Sequence, residues 1–259
     1  MFKSEKRKNL LLLVHDGPKD MEIILDSLKT TRQALLPQVR ILEDHHLVTH
    51  KNDTYELTHI GELIVNKMIP LLEMTGVFEK DIDYWGNHNF DFIPSSLLRQ
   101  ISRCEETKYI RPHITELYEL NKEFHEASKK SRSHYIITTF FHPNFPQLVD
   151  DLVSNGVSLY FIVSEELQDK LLTDHYENFK TIIQNESVHV FVCSGEIEFQ
   201  FISTNDYYIL LALLKNNGEI DSNYMLCHDK NAHEWGKEFF EHYLKDSIPI
   251  TEASLLQGK

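Results

Sequence analysis

The sequence predicts an α+β winged helix-turn-helix head followed by an α/β mixed-sheet domain, and three observations carry that expectation. In residues 28–58, LKTTRQALLPQVRILEDHHLVTHKNDTYELT, a helical pattern with one polar face runs directly into two short alternating segments about a polar turn. Beyond about residue 130 the hydrophobic period changes, and strand-like and helix-like runs alternate as in a βαβ unit. The charge is also divided. Residues 1–60 carry nine Lys/Arg and nine Asp/Glu, whereas the other 199 carry 17 and 31, so the net charge of −14 lies outside the head. With 259 residues, 41% hydrophobic and 25% charged, the chain is long enough for two cored domains. We divide it at residues 1–90 and 91–259, with the boundary near 87–94.

Taken in order, Ser4 is placed to cap a first helix that buries Leu10 to Val14 and stops at Gly17-Pro18. Asp20 caps a second, with Met21, Ile24, Leu25 and Leu28 at helical spacing. Lys29-Thr30-Thr31 forms a turn, and Thr31 caps a third helix to about His45 that buries Leu35, Val39 and Leu42. Pro37 leaves two starts open for that helix: near Leu36 after an irregular first turn, or at the cap with a kink at the proline. Leu47–Thr49 and Tyr55–Leu57 read as strands about a turn at 50–53. His59–Phe78 is a fourth helix, apolar well beyond one stripe. It is expected to pack on two sides, one of them a second subunit or the following domain.

A helix of this kind suits the DNA major groove, and an exposed hairpin suits the phosphate backbone. The candidate DNA-binding residues are therefore Thr30, Thr31, Arg32, Gln33, Gln38 and Arg40 around the third helix, and His50, Lys51 and Asn52 in the hairpin. Double-stranded DNA is the expected partner, and a homodimer would match a two-fold operator. His45, His46 and His50 beside the hairpin raise the expectation of pH-sensitive binding. An RNA-binding or protein-interaction module built on the same head is the alternative.

Residues 28–72, from LKTTRQALLPQVRILEDHHLVTHKNDTYELT through HIGELIVNKMIPLL, resemble the archaeal winged-helix transcriptional regulators of the methanogenesis and filamentation regulator type. The shared motifs are a Thr/Ser-Arg-Gln-Ala-Leu recognition helix, a Leu-Val strand and a Tyr-x-Leu-Thr strand leading into a Gly-containing helix. HEWGKEFFEHYLKDS, from His233, is similar to the family's closing helix, so the resemblance covers nearly the whole chain. It implies a transcriptional regulator. His46 departs from the pattern, because a Gly commonly precedes the Leu-Val strand.

In the second domain, helices are expected over 114–131, 144–155, 164–183 and 231–244. Strands are expected over 134–139, 157–163, 188–193, 197–202, 207–214 and 221–226. Ligands of open α/β sheets bind beyond the carboxyl ends of parallel strands, so Thr139, Phe140, Phe141, His142, Ser164, Cys193 and Ser194 are the candidates for a small-molecule effector site. No phosphate-cradling loop or dinucleotide fingerprint is present. Cys227-His228 with His233 matches no zinc spacing, so no metal or other cofactor is expected. The strand order and closing helix also resemble the phospholipase D-like fold. His228-Asp229-Lys230 has that family's His-x-Lys, but Trp235 stands where its Asp belongs, so we do not expect an enzyme. Three scattered cysteines and no membrane-length apolar run suggest a reducing, cytoplasmic setting. The apolar run at Leu10–Val14 is too short, and lacks the small-residue site, for a signal peptide.

Overall fold

A computed structural model describes residues 4–104, 106–117, 119–228 and 231–251. The chain forms two compact units, residues 1–75 and 76–259. The first contains α1 (Glu5–His15), β1 (Lys19–Asp20), α2 (Met21–Ser27), α3 (Arg32–Asp44), β2 (Val48–Lys51), β3 (Thr54–Leu57) and the start of α4 (His59–Glu79). Its strands form an antiparallel sheet in the order β1-β3-β2. The core is built from Leu10, Leu11 and Val14 of α1, Met21 and Ile24 of α2, Leu35, Val39 and Leu42 of α3, and Val65 of α4. These are the positions that helical spacing marks as inward.

The open point at Pro37 is decided by the cap. Thr31 has extended backbone and accepts the Ala34 N–H on its side chain (3.4 Å), and its carbonyl takes the Leu35 N–H at 3.0 Å. The helix therefore starts at Arg32 and runs through Pro37, which lies on the exposed face. Lacking an N–H, Pro37 leaves the Gln33 carbonyl without its usual i+4 donor. The hairpin is tighter than expected: both strands reach the turn, Lys51 faces Thr54, and Asn52 and Asp53 alone make the loop. Both adopt left-handed backbone (φ 51° and 65°), as a two-residue turn matching the strand twist requires.

The second unit is a mixed eight-stranded sheet in the order β11-β7-β6-β5-β8-β9-β10-β4. In chain order its elements are α5 (Ile82–Asn87), α6 (Ser95–Leu98), β4 (Thr107–Ile110), α7 (Lys122–Ser128), β5 (Ser133–Thr138), α8 (Phe145–Ser154), β6 (Ser158–Ser164), α9 (Glu165–Asp174), α10 (Tyr176–Ile183), β7 (Val188–Cys193), β8 (Phe199–Thr204), β9 (Ile209–Leu213), β10 (Tyr224–Cys227), α11 (Ala232–Leu244) and β11 (Ser247–Ile250). The expected βαβ pairs are present, with β5, β6 and β7 parallel. Ile136, Leu159, Phe161, Val163, Val188 and Val190 share one sheet face and belong to one core with α8, α9 and α10 residues. Residues of α11, among them the fully buried Trp235 and Phe239, form a further buried group with Phe199.

Several expectations need correction. The chain divides at 75/76, inside α4, and not near 90. Trp85 donates to Tyr109 Oη (2.6 Å), Tyr109 donates to the Val77 carbonyl (3.1 Å), and His88 meets Asp221, so residues 77–90 are fastened to the sheet domain. The single helix over 114–131 is instead a short 3₁₀ turn at Ile114–Glu116 and a separate α7, whose start is set by Asn121 accepting the Phe124 N–H. The helix over 164–183 breaks at His175. β4 and β11, both edge strands, were not expected.

Candidate nucleic-acid interface

The outward strip of α3 carries Arg32, Gln33, Pro37, Arg40 and Asp44, all exposed, with Thr31 at the cap. Thr30 is half-buried in the α2–α3 turn. There Lys29 takes a left-handed conformation (φ 45°) and the Thr30 N–H reaches the Leu25 carbonyl (3.1 Å). The far end of α3 closes in the same way. His46 is left-handed (φ 54°), its N–H donates to the Glu43 carbonyl (2.8 Å), and the Leu47 N–H donates to the Leu42 carbonyl (2.9 Å). This is a Schellman closure with histidine where glycine is usual. The departure at His46 therefore leaves the helix-to-hairpin turn unchanged.

The structure brings most of the predicted residues to one surface. Arg32 Nη2 lies 2.6 Å from Asp53 Oδ1, joining the first turn of α3 to the hairpin tip. His50 bonds the Glu43 carboxylate through Nδ1 and stacks on Tyr55 at 5.1 Å, tying the hairpin to the last turn of α3. Lys51 and Asn52 are exposed at the tip. Gln38 is placed elsewhere: it is half-buried and accepts from Arg7 Nη1 of α1 (2.8 Å), which turns it away from the outward strip. Asp53, absent from the candidate residues, stands at the centre of the surface. Beyond Arg32, its Oδ1 accepts from Tyr55 Oη (3.4 Å) and its carbonyl from the Met21 N–H (3.1 Å). Burial first, and then the Asp53 charge, raise the Tyr55 hydroxyl above its ordinary pKa. The sequence signal for Asp53 is Asn-Asp at a hairpin tip, which favours left-handed backbone; its ionic partner on α3 is not visible there.

In the sheet domain, the ends of β5, β6 and β7 do meet along one edge, with Thr138 beside Val163 and Ser164 beside Cys193. The polar atoms at that edge have internal duties. Thr139 Oγ1 donates to carbonyls of Phe199 and Gln200, Ser164 Oγ caps α9 by accepting the Leu167 N–H, and Ser194 Oγ donates to the Asp246 carbonyl. Phe141 packs on the α8–α10 core and stacks on His175, Phe140 lies against Phe201, and Cys193 is buried. Burial lowers the His142 pKa, and its Nδ1 accepts the Asn144 N–H. Two open surface cavities lie elsewhere. One, of about 510 Å³, is at the β7–β11 edge; the other, of about 480 Å³, is beside His88, Asp221 and Lys215.

Of the phospholipase-like signature, Asp229 and Lys230 lie outside the described residues. Trp235 is buried and donates to the Leu97 carbonyl (2.9 Å). Among the described residues no three His, Cys, Asp or Glu side chains are placed to hold a metal ion. No described helix is long and apolar enough to cross a membrane.

A helix-turn-helix closed by a short hairpin, joined to a mixed-sheet domain, defines a winged-helix protein of two parts. The family models agree with that division. The N-terminal domain of methanogenesis regulatory protein FilR1 matches residues 1–75, and its middle domain matches residues 117–246. The chain belongs to this family, as its recognition-helix and hairpin motifs led us to expect. It is 22% identical over 260 residues to methanogenesis regulatory protein FilR1 of Methanothrix harundinacea (strain 6Ac), across 97% of this chain but only 57% of that protein. Among solved structures, TrmBL2, described as an archaeal chromatin protein with a novel mode of DNA binding, aligns over 95% of this chain and 92% of its own, at 12% identity and a TM-score of 0.44. Nuc, a phospholipase D family member from Salmonella typhimurium, aligns over 56% of this chain and 97% of its own, at 12% identity and a TM-score of 0.40.

Proposed function

We propose that the chain is a DNA-binding transcriptional regulator, without a catalytic step, whose head reads duplex DNA through the outward strip of α3 and the hairpin tip. One observation carries the reading: Thr31, Arg32, Gln33 and Arg40 form an exposed polar strip, and its first turn is ion-paired to a hairpin tip that presents Lys51 and Asn52. Arg and Gln make two-point contacts with base edges, and Lys supplies charge to phosphate. Gln38, held by Arg7, contributes to the fold of the head in this reading.

The reading includes a homodimer. On α4, Ile60, Leu63 and Leu71 fall within one face and are each more than half exposed, while Val65 of the same helix is fully buried in the head. Burying that face against a second copy would remove apolar surface from water and place two heads on a two-fold site. Leu63→Glu is expected to give a monomer in sedimentation equilibrium; an unchanged mass would remove α4 from the interface. The sheet domain is the regulatory part, responding to a small-molecule effector. The internal duties of Thr139, Ser164 and Ser194, the burial of Cys193 and the packing of Phe141 favour a structural role at the strand ends, leaving Phe140 and His142 as the candidates there. Native mass spectrometry of the purified protein tests this part: a stoichiometric small-molecule adduct supports it, and a bare mass under conditions that preserve the fold counts against it.

The experiment for the central reading is fluorescence anisotropy on duplex DNA from the protein's own upstream region, across salt. Arg40→Ala and Lys51→Ala should each weaken binding and flatten the salt dependence, by about 0.9 in log–log slope for each phosphate no longer neutralised.

A further inference from the structure

We propose that Asp53 is a specificity-determining residue of the head: it occupies Arg32 as an internal stand-in for a DNA phosphate, so backbone contact alone does not release that guanidinium. The inference rests on the DNA-binding reading above. Arg32 Nη2 and Asp53 Oδ1 are 2.6 Å apart, and both side chains are about half exposed (51% and 46%), so duplex DNA reaches them from solvent.

Asp53 is not a loose surface acid. Its backbone sits in the left-handed second position of a two-residue turn. Its carbonyl is fixed by the Met21 N–H at the start of α2 (3.1 Å), and its carboxylate also receives the Tyr55 hydroxyl (3.4 Å). The next residue, Thr54, is tied to Asp20 (2.5 Å). The backbone that carries the carboxylate is therefore held in place before DNA arrives, and Arg32 meets an anion there as it would meet a docked phosphate.

A phosphate offers Arg32 the same kind of ionic hydrogen bond that the Asp53 carboxylate already provides, so exchanging one for the other improves binding little and leaves Asp53 unpaired beside an anionic backbone. A guanine edge offers neutral acceptors, O6 and N7, which the N–H groups not committed to Asp53 can engage without repelling its carboxylate, so the ion pair stays intact. The pair thus subtracts one cation from non-specific binding and retains it for base reading.

The test is a double-mutant cycle on the full-length chain with a random-sequence duplex of about 30 base pairs, read by anisotropy from about 50 to 200 mM salt. Asp53→Asn keeps a short side chain tolerant of left-handed backbone while removing the charge. It is expected to bind the random duplex about three- to tenfold more tightly at the low-salt end, with a salt slope steeper by about 0.9 as Arg32 neutralises one more phosphate. In an Arg32→Ala background the same Asp53→Asn change should show little of that tightening, because no guanidinium is left to release. Equal effects in both backgrounds would reduce Asp53 to one negative charge among others and overturn the proposal, as would an unchanged slope. If no variant, nor the wild type, binds duplex at the low-salt end, the DNA-binding reading itself falls. Thermal unfolding of each variant establishes that the comparison is between folded proteins.

Discussion

Two helices of the head end on left-handed residues that are not glycine, Lys29 and His46. A side chain there costs about 1 kcal/mol relative to glycine, since Cβ crowds the carbonyl. His46→Gly is therefore expected to raise the stability of the head by about 0.5–1 kcal/mol in urea unfolding, with no change in fold. Gly61 is the opposite case. A Cβ on it would lie 2.0 Å from the Leu47 carbonyl oxygen, which already accepts the Thr58 N–H. Gly61→Ala must push α4 away from Leu47, the residue before β2, and about 1–3 kcal/mol of destabilisation is expected in the same measurement. His134 supplies a pH signature. It is fully buried, with Nε2 2.6 Å from Ser203 Oγ; burial, and secondarily His125, lower its pKa to about 3. The unfolded chain takes up a proton below about pH 6.5 that the folded chain refuses, so this contribution is complete above 6.5 and fades as the pH falls toward 3. At pH 5 the loss from this one group is about 2 kcal/mol. His134→Phe should flatten the stability–pH curve between 7 and 5 by that amount; parallel curves would show that His134 does not titrate as described.

At the scale of elements, α3 is a helix that tolerates its own breaker. Its anchors, Leu35, Val39 and Leu42, are fully or almost fully buried, and they hold the helix through Pro37 despite one missing hydrogen bond. Pro37→Ala restores that bond, and a higher melting temperature is expected, worth up to about 3 kcal/mol. α11 shows the reverse constraint, where close packing leaves no room. A Cβ on Gly236 would lie 2.7 Å from Thr204 Oγ1, so Gly236→Ala should destabilise the sheet domain. α3, the hairpin and the β5–β6–β7 parallel set were legible because each has a clear period, a capping residue or a turn pair. β11 was not, because Pro249 argues against a strand; it is accommodated because β11 is an edge, where a missing donor breaks no inner ladder. β4 is four residues long and offers no alternation. The candidate site was legible as a set of exposed residue types on a helix and hairpin. The Arg32–Asp53 pair and the inward turn of Gln38 were not, because both depend on hydrogen bonds between elements 21 and 31 residues apart in sequence.

For the whole molecule, the division of charge matters most. A head with equal numbers of acidic and basic groups in residues 1–60, joined to a chain of net charge −14, has little bulk attraction for a polyanion. Such a head is expected to bind DNA through a few placed contacts and through pairing of two heads, with low non-specific affinity. The most direct measurement is the salt dependence of binding to duplex DNA from the protein's own upstream region, compared with a random duplex, for wild type, Arg40→Ala and Lys51→Ala. Tighter binding to the upstream duplex, weakening with salt, and a shallower slope in both variants are predicted. Equal binding of the two duplexes, with neither variant altered, would contradict a head that reads DNA through α3 and the hairpin tip.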